Sequence, residues 1–370
     1  MLQTILVYTL MLCAMMFYGA IASRREALYP HKQLSFCTWE VWTPLLLFAA
    51  IMGMRYDVGV DHLSYKRSYL SGEGFHREPI FRWLSIVGRE MDIHYTIYFG
   101  LLALIQVFLL FYTFKKERHL FPFLVFVLFT SQFFIHWMNG IRQETAGLIF
   151  LFASRYIAEK KFGKYLVCCI IACGFHISAI ILIPIYPILR GGKDFFKNIP
   201  LQLCVFLTVS MVAISGYDLI HRMMPLVGKF SELHYSFAVY YSVSNLERFS
   251  GLTIVGRSLY LFTIINIVII LYSKKLKAYY GNAVFKVFYN LYYFGAVANA
   301  LFINNLVLNR PFRYFRFYLV IMATYLLYYL YKHAKPSINT LVFFVLIILF
   351  LLIFVGTIIS HPFTFFWQAY

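Results

Sequence analysis

Four short stretches of the chain gather residue types that bind anions or exchange protons. The stretch MRYDVGVDHLSY, residues 54–65, places Arg55 and Asp61 directly after a long apolar run. Glu78 follows in the same polar connection, immediately before Pro79. Arginine presents a planar fork of donors to phosphate or carboxylate, and a carboxylate can orient or deprotonate a hydroxyl. The competing interpretation is that these charges mark a helix end, reach water and pair with one another.

The second stretch, NGIRQETAG at residues 139–147, lies between two apolar runs. A helix that begins here would direct free N–H groups and the positive end of its dipole at a ligand, and Arg142 would add a full charge. The pattern favours an anion site. Pairing of Arg142 with Glu144 in a tight turn is the alternative.

The two remaining stretches are GFHISA at 174–179 and NRPFRYFRFY at 309–318. A histidine between apolar runs is costly in a membrane and is often functional, so His176 is a candidate general base. Arg310 and Arg313 begin a series of arginines at every third position, which places them roughly on one face of a helix. A hydrogen-bonded core histidine and an aromatic-flanked interfacial anchor are the respective alternatives.

The elements that must position these residues are membrane helices. The chain is 61% hydrophobic and 13% charged, whereas soluble domains carry about 25% charged residues. Its apolar runs are long enough to cross a hydrocarbon core as helices, and no short alternating segments typical of a barrel are found. The fold class predicted is an all-α polytopic integral membrane protein with about 10–11 transmembrane helices, forming one domain over residues 1–370. The predicted segments are 2–22, 39–54, 93–114, 121–139, 141–158, 165–189, 199–216, 252–273, 283–303, 313–331 and 338–358.

Lysine and arginine in the short loops set the expected orientation, with basic loops in the cytoplasm. The N-terminus and two long connections, 55–92 and 217–251, then lie outside. Segment 165–189 has basic loops on both sides, so both of its ends would face the cytoplasm. A re-entrant hairpin with its tip near 174–176 satisfies this pattern and is favoured over one spanning helix.

The two basic residue types separate across this topology. Of 16 lysines, only Lys66 and Lys229 fall outside, whereas 12 of 17 arginines fall outside or at the outer edge. The formal net charge of +18 is scattered through short loops, so orientation explains it better than nucleic-acid binding. External arginines favour an anionic external ligand such as a diphosphate, although pairing with acids of the same loops would also account for many of them.

Several chemistries lack their motifs in this sequence. There is no P-loop, dinucleotide-binding turn, HExxH or GxSxG, and the six cysteines show no metal-binding spacing. No cytoplasmic loop is long enough to form a nucleotide-sugar domain, so a glycosyl donor would have to arrive in the membrane. No cofactor or metal is predicted; if a metal were used, Asp57 and Asp61 would be the place to look for it.

Taken in order, these motifs resemble the EpsG family of bacterial polysaccharide polymerases, relatives of the Wzy polymerases of O-antigen and exopolysaccharide. The resemblance is best over residues 50–190 and includes a lysine-rich turn and a Phe-His-x-Ser-Ala motif. The residues that carry it are Arg55, Gly59, Asp61, Tyr65, Glu78-Pro79, Ile141-Arg142-Gln143, Ala146, Lys160-Lys161, Phe175, His176, Ser178, Ala179 and, loosely, Arg310 to Arg316. Asp57 is an addition to the pattern and receives no role.

The resemblance implies a GT-C-like glycosyltransferase, inverting or retaining according to its linkage. The donor would be a growing glycan on undecaprenyl pyrophosphate, and the acceptor a repeat unit on the same carrier. The reaction would occur at the periplasmic or exterior face of the bacterial cytoplasmic (inner) membrane, with a flippase and a chain-length regulator as partners. As a hypothesis, diphosphates would be bound by Arg55, Arg142, Arg310 and Arg313, and the catalytic candidates are Asp61, Glu78 and His176.

Three other functions remain open at this point. One is a membrane scaffold for a biosynthetic complex, which predicts no effect from single charge substitutions. An O-antigen-ligase-like transferase would use the same donor chemistry with a different acceptor. A transporter or flippase of lipid-linked sugars should show paired repeats with interrupted helices and charges along a path through the membrane. The concentration of arginines on one predicted face favours an external site over such a path.

Overall fold

The protein folds almost entirely as helices, because its long apolar runs satisfy their backbone hydrogen bonds internally. The computed structural model describes residues 1–59, 61–72, 78–214, 257–303, 306–334 and 338–368. The helices described are α1 (Leu2–Leu28), α2 (Trp39–Gly53), α3 (His62–Ser71), α4 (Pro79–Glu90), α5 (Tyr95–Thr113), α6 (Phe121–Thr130), α7 (Phe133–Asn139), α8 (Ile141–Ala158), α9 (Phe162–Phe175), α10 (Ile185–Leu189), α11 (Ile199–Ile214), α12 (Arg257–Tyr280), α13 (Ala283–Leu301), α14 (Leu306–Asn309), α15 (Arg313–Lys332) and α16 (Ile338–Ser360).

Short 3-10 turns and one pair of strands complete the described chain. The 3-10 turns are Arg118–Leu120, Ile177–Leu182, Arg310–Phe312 and Phe366–Gln368. Strands β1 (Arg55–Tyr56) and β2 (Thr364–Phe365) pair antiparallel, with Arg55 opposite Phe365. The residues after the last long helix therefore lie against the turn that follows α2.

The prediction of an all-α, multi-pass membrane protein is confirmed. Among the described residues, α1, α5, α12 and α16 are each long and apolar enough to cross a membrane. The turn at 118–120 with α6, together with α7, makes a fifth candidate, bent by 64°. Each of the eleven predicted segments overlaps at least one of the described helices.

Three predicted regions differ in detail. Segment 121–139 is broken between α6 and α7, where Gln132 adopts a φ of 68°. Connection 55–92 contains the polar helices α3 and α4. Connection 217–251 lies outside the described residues.

Two compact units make up the described structure, and the single-domain prediction remains a prediction. The first comprises Met1–Gly191 and Ala323–Tyr370, and the second Gly192–Met322. In the first unit, α2 and α5 pack closely at Gly53. A Cβ added to this glycine would lie only 2.5 Å from the Thr96 carbonyl oxygen. In the second, the buried tyrosines of α13 donate to polar groups, as in the 2.6 Å bond from Tyr289 to Gln202.

Segment 165–189 folds back on itself, and its re-entrant placement in the membrane stays a prediction. The chain breaks at His176, whose backbone is extended (φ −155°, ψ 115°). The Tyr165 hydroxyl then donates to the Leu182 carbonyl at 2.5 Å. Farther on, the backbone N–H of Gly191 donates to the Ile157 carbonyl at 2.9 Å. Both ends of the segment thus meet beside the end of α8.

Candidate functional site

Arg55 is buried beneath the turn that follows α2. Its side chain has no exposed surface. The guanidinium donates to the backbone carbonyl of Met52 and, at 3.4 Å, to that of Met138. Burial lowers its pKa to about 9, so it remains charged at neutral pH. Arg55 therefore ties the end of α2 to the end of α7, and its assignment to diphosphate binding stays a prediction.

The turn itself depends on a glycine. Gly59 has a φ of +96°, which side-chain-bearing residues rarely adopt. An added Cβ would lie 1.8 Å from Oδ1 of Asn139, at the end of α7. The turn after α2 thus packs directly on the residues that precede α8, the helix that carries Arg142.

Arg142 and Glu78 form the central ion pair of the site. Arg142 is the second residue of α8, and Glu78 caps α4, in which Pro79 occupies the first position. The Arg142 Nη1 donates to Glu78 Oε2 at 2.7 Å. The Glu78 side chain is 7% exposed and that of Arg142 is 23% exposed. A guanidinium that is partly exposed and fixed by a nearly buried carboxylate has the features of a preorganised anion-binding group, and the assignment of Arg142 to diphosphate stays a prediction.

Tyr65 completes this cluster from α3. Its hydroxyl lies 3.4 Å from Arg142 Nε, and the guanidinium carbon lies 5.9 Å from the centre of its ring. Phe81 supplies a second ring at 6.0 Å from the guanidinium carbon. Burial raises the pKa of Tyr65, so the hydroxyl stays protonated at neutral pH. The aromatic rings shield the guanidinium from water, which strengthens its interaction with charge.

Asp61 lies at the edge of the cluster. It is the N-cap of α3 and is exposed. The N–H of Tyr65 donates to the Asp61 carbonyl at 2.9 Å, so Asp61 lies one helical turn before the tyrosine. Its carboxylate is close enough to influence the titration of Tyr65, as is that of Glu78. Three of the predicted residues, Asp61, Glu78 and Arg142, are therefore gathered around Tyr65.

His176 lies at the hairpin tip, which packs on the helix that Glu78 caps. Its Nδ1 is 2.7 Å from the Ser178 hydroxyl, and the imidazole is half-buried. A side chain at Gly174 would lie 2.4 Å from Cδ1 of Ile80. The close approach of Gly174 and Ile80 brings the motif GFHISA against the first turn of α4.

Arg310 and Arg313 belong to the second unit. Arg310 is exposed in the 3-10 turn at 310–312, and Arg313 is the half-buried first residue of α15. Between them, Phe312 stacks on Phe302 with ring centres 5.0 Å apart. Their assignment to diphosphate binding stays a prediction.

Sequence reasoning missed His62, which is fully buried beside the turn. Its Nδ1 accepts a hydrogen bond from the Asp57 N–H at 3.1 Å. Burial, with the nearby charges of Arg55 and Lys66, lowers its pKa to about 3, so the ring is neutral. The neutral ring must then carry its proton on Nε2. Asn139 was also missed; its place just before the Gly-Ile-Arg motif was the available signal.

Comparison with known proteins agrees with this arrangement of motifs. The model of the EpsG family matches residues 41–370, which covers most of the chain. Neither curated proteins nor solved structures gave a match, so the GT-C-like architecture stays a prediction. The resemblance drawn from the motifs is confirmed: the chain belongs to the EpsG family, a family of Wzy-like polysaccharide polymerases.

Proposed function

We propose that this protein polymerises lipid-linked oligosaccharide repeat units. It transfers a growing glycan from undecaprenyl pyrophosphate to a repeat unit on the same carrier. Family membership supports polymerase-type glycosyl transfer in general terms. The single observation that carries the finer proposal is the cluster of Arg142, Glu78 and Tyr65, which offers a fixed cation to a departing diphosphate.

The reaction breaks one bond and forms another at the anomeric carbon of the donor. An acceptor hydroxyl oxygen bonds to that carbon, while the bond to the diphosphate oxygen breaks and the diphosphate leaves with the electron pair. The acceptor proton passes to a base. Arg142 stabilises the negative charge that develops on the leaving group, as preorganised cations in poorly hydrated sites do.

In this proposal, Glu78 positions the guanidinium of Arg142. Because its carboxylate already accepts from the guanidinium at 2.7 Å, its first task is to hold Arg142 in place. Asp61, exposed one turn from Tyr65, is then the better placed base for the acceptor hydroxyl. His176, at the hairpin tip beside α4, is the alternative base. Arg55 is a positioning residue, since it is fully buried against backbone carbonyls.

The location of the reaction follows from the lipid carriers of its substrates. Both substrates are carried by a lipid, so the site opens to the bilayer at the exterior face of the cytoplasmic membrane. A flippase supplies repeat units there, and a chain-length regulator limits growth. A ligase-like transferase and a transporter remain the competing functions.

The test is deletion of the gene in its host, with the surface glycan examined on a gel. Polymerase function predicts collapse of a ladder to a single repeat unit. Complementation with Arg142→Ala or His176→Ala should fail to restore the ladder, whereas Arg67→Ala, an exposed arginine of α3, should restore it. Full-length glycan left on its lipid would indicate a ligase, and repeats stranded on the inner leaflet a flippase. A normal ladder would overturn the proposal.

A further inference from the structure

Lys66 is a cation beside the site that the reaction scheme above does not use. It is one of only two lysines predicted to lie on the external side of the membrane. Its Nζ lies 4.7 Å from the ring centre of Tyr56 and 4.6 Å from that of Tyr95. The side chain is half-buried, so part of it faces solvent. An ammonium is thus fixed between two aromatic rings at the start of α3 and α5.

The rings leave the ammonium with unused capacity to bind an anion. It has three N–H donors, and a ring face attracts the charge without accepting all of them. None of the ion pairs among the described residues includes Lys66. Holding the ammonium between two rings removes much of the freedom that a lysine would lose on binding, so an anion meets a preorganised charge.

The other cations of the first unit that were assigned to diphosphate differ from Lys66 in their contacts. Arg55 has no exposed surface, and Arg142 already contacts Glu78 at 2.7 Å. Lys66 follows Tyr65 in α3, and successive helical residues point about 100° apart. While Tyr65 faces Arg142, Lys66 faces Tyr56 and Tyr95. The guanidinium of Arg142 and the ammonium of Lys66 therefore lie on different sides of α3.

The pKa of the buried His62 imidazole is sensitive to the positive charges of the residues around it. The positive charges of both Arg55 and Lys66 contribute to its lowered pKa, after burial itself. An anion bound at Lys66 would offset part of this positive field.

We propose that Lys66, seated between Tyr56 and Tyr95, binds a phosphate group of the lipid diphosphate. The inference rests on the proposed function and adds a recognition residue to that site. Lysine binds phosphate as a point charge, without the bidentate geometry that arginine imposes. It would hold the headgroup while Arg142 acts on the oxygen that leaves.

The experiment uses the purified full-length protein in nanodiscs, titrated with farnesyl diphosphate and separately with inorganic pyrophosphate. Lys66→Gln should weaken farnesyl diphosphate binding by roughly tenfold or more, which corresponds to about 1.4 kcal/mol. Lys66→Arg should retain most of the affinity, and the neighbouring Arg67→Gln should leave it unchanged. Tyr95→Leu should weaken binding less than Lys66→Gln, because it removes one ring and keeps the charge.

Unchanged farnesyl diphosphate affinity in Lys66→Gln would overturn the proposal. So would an effect confined to inorganic pyrophosphate, because the site would then bind a free anion and not a lipid headgroup. Variants are compared only when they elute as a single species with an unchanged melting temperature, and Lys66→Arg serves where Lys66→Gln fails to fold. The gel of surface glycan tests the polymerase separately: a normal ladder after gene deletion would reject the reaction without altering the binding result.

Discussion

Arg142 donates to Glu78 at 2.7 Å across 64 residues of sequence, and this pair joins the helix α8 to the cap of α4. The carboxylate is nearly buried, and the guanidinium retains contact with solvent. In the proposed function, Glu78 therefore holds Arg142 in place, and Arg142 is the member of the pair that is presented to the ligand.

We expect Arg142→Lys and Glu78→Gln to separate charge from geometry. Lysine keeps the charge but loses the fork that contacts both Glu78 and Tyr65, so polymerisation should fall by about 10²-fold, a loss typical of one missing stabilising donor. Glu78→Gln removes the negative charge that fixes the guanidinium and should lower both activity and stability. Ladder length and the melting temperature of the solubilised protein measure the two effects.

Arg142→Ala is the severe member of this series. Removing one partner of a buried ion pair costs about 3–5 kcal/mol, and the partial exposure of Arg142 should reduce this loss. Arg67→Ala is the matched control, since it removes an exposed arginine from the adjacent α3. Equal ladders from Arg142→Lys, Arg142→Ala and the wild-type protein would contradict the role of the pair.

The helices that lie in the eleven apolar runs were predictable from the sequence, because run length and apolar composition decide them. The helices α3 and α4 were not, since polar helices depend on packing and capping more than on an apolar run. The break between α6 and α7 at Gln132 could not be predicted either, because a positive φ at a residue other than glycine leaves no clear signal in the sequence.

The residues of the site were predictable individually, but their partners were not. Arg142 and Glu78 were both candidates, yet the sequence offered the neighbouring Glu144 as the partner of Arg142, and the structure pairs it with Glu78. Arg55 was expected at a diphosphate or in water, whereas it is buried against backbone carbonyls. Sequence shows which groups are charged; burial and long-range pairing come from the tertiary fold.

Gly59→Ala should destabilise the turn that packs on Asn139. An L-residue at φ +96° is strained at a cost of about 1–3 kcal/mol, and its Cβ would also overlap Asn139 Oδ1. Gly356→Ala is the control: its Cβ would meet nothing within 4 Å inside α16, so stability should hold or rise. Melting temperatures test both.

The double variant Gly59→Ala with Asn139→Ala separates the two causes. It removes the overlapping atom but keeps the strained backbone, so stability should recover only in part. Full recovery would show that the overlap alone matters, and a neutral Gly59→Ala would reject the importance of this turn.

His62 should make stability depend on pH. Its pKa is lowered from 6.5 to about 3 in the fold, so the folded state holds the neutral ring while the unfolded chain takes up a proton. The stability that it contributes is present above pH 6.5 and is lost progressively as the pH falls towards 3. At pH 5 the loss should be about 2 kcal/mol.

His62→Asn tests this dependence, because asparagine can still accept from the Asp57 N–H but does not titrate. Apparent melting temperatures between pH 7 and pH 5 should fall more for the wild-type protein than for this variant. His31→Asn, at an exposed position, should behave as the wild-type protein does. Parallel curves for all three proteins would rule out the proposed linkage.

The hairpin predicts that both ends of residues 162–189 face the same side of the membrane. Helix α9 has 14 residues, a length of about 21 Å, which is shorter than a hydrocarbon core of about 30 Å. In a cysteine-free background, Lys161→Cys and Arg190→Cys should both react with an impermeant maleimide from the cytoplasmic side, as Lys115→Cys should. Arg67→Cys should react from the outside, because α3 is predicted to be external. Labelling of Lys161→Cys and Arg190→Cys from opposite sides would mean that this segment crosses the membrane once. The placement of His176 at the tip of a re-entrant hairpin would then be rejected.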